Sequence, residues 1–200
     1  MLKRTALLLA CFAFAAAHVS AQAIDPARST VTVHVDKAGL FSVFGHKHTV
    51  RARIQQGQVD TGARAVALSF ASAQLRVLDP DVSKEDRAEI QRTMLGPQVL
   101  DTERYPEIRF QSTQVESEGK GWRVQGQLAL HGATKPVVMK VKSNGDSYRG
   151  QVRLKQSDFG LKPISLAGGT IKVKDEVTIE FEIVLVKTRR NRSTKQGPGP

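Results

Sequence analysis

From Ser29 onward, apolar residues recur at every second position. Val31, Val33 and Val35 alternate with Thr32 and His34, the pattern of a strand with one face buried. The same period-two pattern runs through Val66, Leu68 and Phe70, through Ile108 and Phe110, and through Trp122, Val124, Gly126, Leu128 and Leu130. It returns at Val137, Met139 and Val141, at Val152 and Leu154, and at Val177, Ile179, Phe181, Ile183 and Leu185. Turn formers separate these runs: Gly119-Lys120-Gly121, Ser143-Asn144-Gly145-Asp146 and Gly168-Gly169, with a further turn expected at Thr134-Lys135-Pro136. One segment breaks the alternation. Asp79 stands as an N-cap before Pro80 at the first helical position, acidic residues Asp81, Glu85 and Asp86 follow, and Gly96-Pro97 ends the run. This predicts a short helix, about 80–95, inserted in an all-β chain. Seven or eight strands joined by tight turns make an antiparallel sandwich or a closed barrel, and periodicity does not choose between them.

The first 23 residues do not join this pattern. Lys3 and Arg4 precede an apolar stretch from Ala6 to Ala17, and Ala21-Gln22-Ala23 supplies a small-x-small cleavage site, so 1–23 is read as an export signal. Cleavage there removes Cys11, the one cysteine of the 200-residue chain, and leaves no thiol for a disulfide or a thiolate metal site. The body is then 24–187, in a periplasmic or secreted location. The net charge of +11 is unevenly placed. Five basic residues, Lys187, Arg189, Arg190, Arg192 and Lys195, crowd the C-terminal end, which closes on Gly197-Pro198-Gly199-Pro200. Residues 188–200 therefore read as a solvated basic tail without fixed structure, whose candidate partners are an anionic membrane surface or another polyanion. No basic–aromatic interleaving points to nucleic acid.

Five blocks, in order, resemble the YceI-like family. They are Ile24-Asp25 with Ser29, Leu100-Asp101 with Tyr105-Pro106-Glu107-Ile108-Arg109-Phe110-Gln111-Ser112-Thr113, and Gly126-Gln127-Leu128-Ala129-Leu130-His131-Gly132-Ala133-Thr134-Lys135-Pro136-Val137. Asp158-Phe159-Gly160-Leu161 and Val173-Lys174-Asp175-Glu176-Val177 complete the set. The resemblance implies a closed antiparallel lipocalin-like barrel of about eight strands that binds polyisoprenoid lipid in an exported bacterial protein. Where many members carry histidines, this chain has Asp36-Lys37 and Thr93-Met94, and it has Phe44-Gly45-His46-Lys47-His48 instead.

A barrel of that size is just wide enough to be filled by side chains or to hold one slender ligand. The large residues at period two, Phe110, Leu128, Leu130, Phe159, Ile179 and Phe181, are the candidate lumen walls; the alternative is that they pack a dry core. Phe41, Phe44, His46, His48, Met94 and Leu95 are candidates for the mouth. His46 and His48 would share one face of a strand, a spacing that strand-borne metal sites use, and a metal-handling or stress protein is the competing reading. Zinc takes three or four protein ligands, however, and neither H-E-x-x-H nor a cysteine cluster supplies the rest. No nucleophile elbow or phosphate loop is present, so the chain is read as a non-enzymatic binder of an amphiphilic lipid, with no cofactor beyond a bound isoprenoid.

Overall fold

The computed structural model describes residues 21–38, 47–166 and 171–187. The expected signal up to residue 20, the tail 188–200, the Gly168-Gly169 turn and the candidates Phe41, Phe44 and His46 lie outside these residues. In chain order the elements are β1 (Ala21–Ala23), β2 (Thr30–Ala38), β3 (His48–Ala52), β4 (Ile54–Asp60), β5 (Ala65–Ala71), β6 (Arg76–Val77) and α1 (Lys84–Leu95). There follow β7 (Glu107–Glu118), β8 (Gly121–Leu130), β9 (Ala133–Asn144), β10 (Ser147–Lys155), β11 (Ser165–Leu166) and β12 (Ile171–Val184). Every alternating run of the sequence lies in one of these strands, with Leu185 just past the end of β12.

All strand pairs are antiparallel, and the sheet curls into a half-barrel with neighbours in the order β1-β4-β5-β7-β8-β9-β10-β12-β2-β3-β6, with β11 added beside β12. The expected closed ring of about eight strands is not what forms. Eleven strands make an open path whose ends, β1 and β6, do not pair with each other. The reason lies in the stretch from His48 to Asp60. Its first half, β3, pairs with β2, and its second half, β4, pairs with β5, with Arg53 at the corner and a register shift between Ile54 and Gln56. Alternation read segment by segment does not count a strand that changes neighbours midway.

Local chemistry explains the connections. Leu130 pairs with Ala133, so His131 and Gly132 form a two-residue hairpin, and both have positive φ, 50° and 76°. This is the type I′ geometry that suits strand twist. The turn thus falls before Thr134-Lys135-Pro136, which lie within β9. Helix α1 begins at Lys84, not Pro80, because Ser83 is its cap: the hydroxyl accepts the Asp86 N–H at 3.1 Å. Gln91 ties α1 to the sheet, accepting the Val77 N–H and donating to the Leu75 carbonyl, both at 2.8 Å. One amide side chain thereby supplies the bonds a neighbouring strand would have made.

On the inner face, two aromatic rings lie directly on glycines of adjacent strands. A Cβ at Gly126 would stand 2.5 Å from the Phe110 ring, and one at Gly150 would stand 2.6 Å from both Phe181 and the Lys140 carbonyl. Any side chain there would lift the ring and push the strands apart. Gly150→Ala is therefore expected to lower stability by about 1–3 kcal/mol. A nearby exposed change, Gln151→Ala, should stay within about 0.5 kcal/mol, with both read from urea denaturation.

Candidate ligand cavity

The curled inner face surrounds a cavity of about 880 Å³ with a predominantly apolar wall. Phe110, Leu128, Leu130, Phe159, Ile179 and Phe181 all line it. Phe110 and Phe159 are buried, while the other four point inward and still keep measurable exposure. Inward side chains of a filled core would cover each other; these face open volume instead. Met94 also lines the cavity, whereas Leu95 packs against the core beside it. Trp122 begins the alternating run that carries Leu128 and Leu130. It lines the cavity too, with the Arg64 guanidinium 5.9 Å from the ring centroid. Met139 lines it with Val137 and Val141, as the alternation implies, while Tyr148 belongs to no alternating run and its inward position follows only once the register of β10 is known.

The polar wall residues fall at the two ends. Asp60, Thr61 and Arg64 come from the β4–β5 turn, while His48, Asp86, Glu89, Thr93, Lys155 and Gln156 come from the end that α1 borders. The β4–β5 end is strapped by the N-terminal segment. Ile24 N–H donates to the Gly57 carbonyl at 3.2 Å, Asp25 N–H to Val184 at 2.8 Å, and Val186 N–H to Ala23 at 2.9 Å. Ile24 is buried, and its side chain fills the space above Gly57.

At the α1 end, Asp79 is not a helix cap. Its carboxylate is 1% exposed, and it accepts the Thr49 N–H and meets His48 Nδ1, each at 2.7 Å. No sequence signal distinguishes this aspartate from a cap, because its partners lie about thirty residues upstream. His48 thus has one ring nitrogen engaged by a carboxylate. The other two histidines among the described residues are elsewhere: His34 faces Glu180 at 3.5 Å, and His131 Nδ1 meets the Phe159 carbonyl at 3.2 Å. Among the described residues, no three metal-ligating side chains converge.

The wall parts between β9 and β10. They pair only where Lys140–Asn144 face Ser147–Gln151, and beyond that β10 stays with β12 alone. A 3₁₀ turn, Gln156–Phe159, follows β10 and carries Phe159, 2% exposed, into the core. Asp175 anchors this turn, accepting the Ser157 N–H at 2.8 Å and the Ser157 hydroxyl at 2.6 Å. Those bonds hold its carboxyl below the usual aspartate range.

These features define a single-sheet half-barrel built around an apolar cavity of ligand size. The YceI-like domain matches residues 22–185, and the chain belongs to the YceI-like family. Among curated relatives, a UPF0312 protein of Pseudomonas syringae pv. syringae is 38% identical over 113 residues, covering 51% of this chain and 57% of that protein. UPF0312 protein plu2095 of Photorhabdus laumondii is 34% identical over 90 residues, covering 45% of this chain and 43% of that protein. The chain thus spans about half the length of the curated relatives it matches. BcnA of Burkholderia cenocepacia superposes with a TM-score of 0.58 at 20% identity, covering 82% of this chain and 99% of BcnA. A polyisoprenoid binding domain from Saccharophagus degradans, implicated in plant cell wall breakdown, gives 0.54 at 14% identity, covering 85% and 99%. At these identities the two structures share the fold.

The Asp175 anchor sets a pH dependence. A carboxyl whose titration is lowered by folding adds stability that is fully present above the ordinary aspartate value, about pH 4, and is lost as pH falls through the lower folded value. Protection of the 156–159 amides, taken relative to the intrinsic exchange rate at each pH, should therefore fall below about pH 4. In Asp175→Asn that protection should already be low at neutral pH and change little further with acid.

Proposed function

We propose that this protein is an exported, non-catalytic carrier that takes the apolar tail of an isoprenoid or similar amphiphilic lipid into its cavity. The observation that carries the proposal is the partly exposed, inward-facing apolar wall around about 880 Å³. That volume lies in the upper part of the range of ligand sites, about 300–1,000 Å³. Family membership supports it, as does the shared fold with a domain named for polyisoprenoid binding. The energetics are adequate without polar contacts. Ten tail carbons leaving water contribute about 8 kcal/mol, against an association cost of about 4–15 kcal/mol, so a chain of about twenty carbons, worth about 16 kcal/mol, exceeds the whole of that range.

Export fits the leader pattern, and the basic tail 188–200 supplies a candidate contact with anionic membrane, where each residue adds about 1 kcal/mol at most. Cleavage after Ala23 would remove β1 and leave Ile24, the residue that fills the space at Gly57, as the new terminus. N-terminal sequencing of protein purified from cells should begin at Ile24 or within two residues of it; retention of Met1 would refute export by this route.

Leu130→Trp tests occupancy. The indole would take volume from a cavity, so the melting temperature should stay within a few degrees of wild type while binding of a fluorescent isoprenoid probe is lost. If the interior were filled, the same change would overpack it and cost about 1–3 kcal/mol, and wild type would bind no probe.

A further inference from the structure

His48 and Asp79 form a polar pair that the lipid-carrier reading does not itself use. Asp79 is a carboxylate with 1% of its side chain exposed. Such a group is costly to bury unless its oxygens are bonded, and here the Thr49 N–H and His48 Nδ1 satisfy them, each at 2.7 Å. A carboxylate at Nδ1 fixes the ring: it keeps the proton on that nitrogen and sets the orientation of the imidazole. The second nitrogen, Nε2, makes no hydrogen bond to any described residue, and the His48 side chain, 22% exposed, lines the cavity. It is the one histidine among the described residues on that wall. A fixed ring with one free nitrogen at the polar end of an apolar cavity is a binding group without its partner.

The surroundings of the pair select the partner's chemistry. With Nδ1 taken by the carboxylate, Nε2 offers one hydrogen-bonding position, an acceptor in the neutral ring and a donor in the protonated one, and a hydroxyl can complete either. The charges of the same end are mainly negative. Asp79 lies behind the ring, and Asp86 and Glu89 of α1 line the cavity, against Lys155 at the end of β10. A phosphate or carboxylate headgroup would meet like charge there, from exposed Asp86 and Glu89 at the rim and from buried Asp79 behind the ring. A hydroxyl carries no charge to repel and needs one partner. We infer that His48, positioned by Asp79, binds the terminal hydroxyl of an apolar chain, so that the cavity prefers a prenol-type alcohol over the corresponding hydrocarbon and over the corresponding phosphate.

This inference rests on the lipid-carrier reading, and the test separates the two. Farnesol, farnesyl phosphate and farnesene share one tail and differ at the head, and each is titrated against a fluorescent apolar probe bound to the full chain. Wild type should bind farnesol about five- to tenfold more tightly than farnesene, the worth of one buried neutral hydrogen bond. Farnesyl phosphate should bind more weakly than farnesol. In His48→Phe the preference for farnesol over farnesene should vanish while farnesene binds as before, a pattern that lost folding cannot produce. His48→Gln, which keeps a polar side chain without the imidazole, serves if the phenylalanine variant does not fold, and it should lose at least half of the preference. Asp79→Asn should weaken the preference with the histidine still present. Equal wild-type affinity for farnesol and farnesene, tighter binding of the phosphate, or an unchanged preference in His48→Phe would each overturn the inference while leaving the carrier reading intact. Binding of none of the three would overturn the carrier reading and this inference together.

Discussion

A single sheet has to bury its own apolar face. Most sheets do so against a second sheet or a layer of helices, but here one twelve-residue helix is the only α-helix among the described residues, and none of its residues is fully buried. The sheet must therefore curl until its inner face looks at itself. Curl requires close approach of neighbouring strands at some points and a break in the ladder at others. Gly126 and Gly150, under the rings of Phe110 and Phe181, provide the first. The corner at Arg53 and the parting of β9 from β10 provide the second. The interior that results is wider than its side chains can fill, and the cavity is the residue of that geometry.

The same constraint explains how much was legible in the sequence. Alternation located seven strands because each has one face in and one face out, and that is a local property. The inward walls Leu128, Leu130, Ile179 and Phe181 were readable for the same reason. Strands β3 and β4 were not, since Arg51-Ala52-Arg53-Ile54-Gln55-Gln56 mixes two registers across a corner. Asp79 was misread because Asp-Pro before acidic residues is a good helix start by every local rule. Its buried contact with His48 depends on β3 and β6 lying side by side, which no window of sequence contains.

The outer face is charge-sorted rather than random. Arg149 on β10 meets Glu182 on β12 at 2.7 Å, and Lys140 on β9 meets Glu118 on β7 at 2.8 Å. Exposed pairs of this kind contribute little to stability. Their arrangement matters more for register, because a strand shifted by one residue would turn these charges onto the inner wall. The polar outside and the apolar inside are thus two readings of one alternation.

The strap that joins the two ends of the chain has a consequence for when the protein can fold. Val184 N–H donates to the Ser29 hydroxyl across 155 residues, and β2 lies against β12 along most of its length. The first long strand therefore has one permanent neighbour that is synthesised almost last. Loop closure over that span must precede the contacts that reward it, so this one pairing forms slowly. The consecutive hairpins from β7 to β10 need only near neighbours and can form as they are made, whereas β2 has to wait for β12 before its second edge is covered.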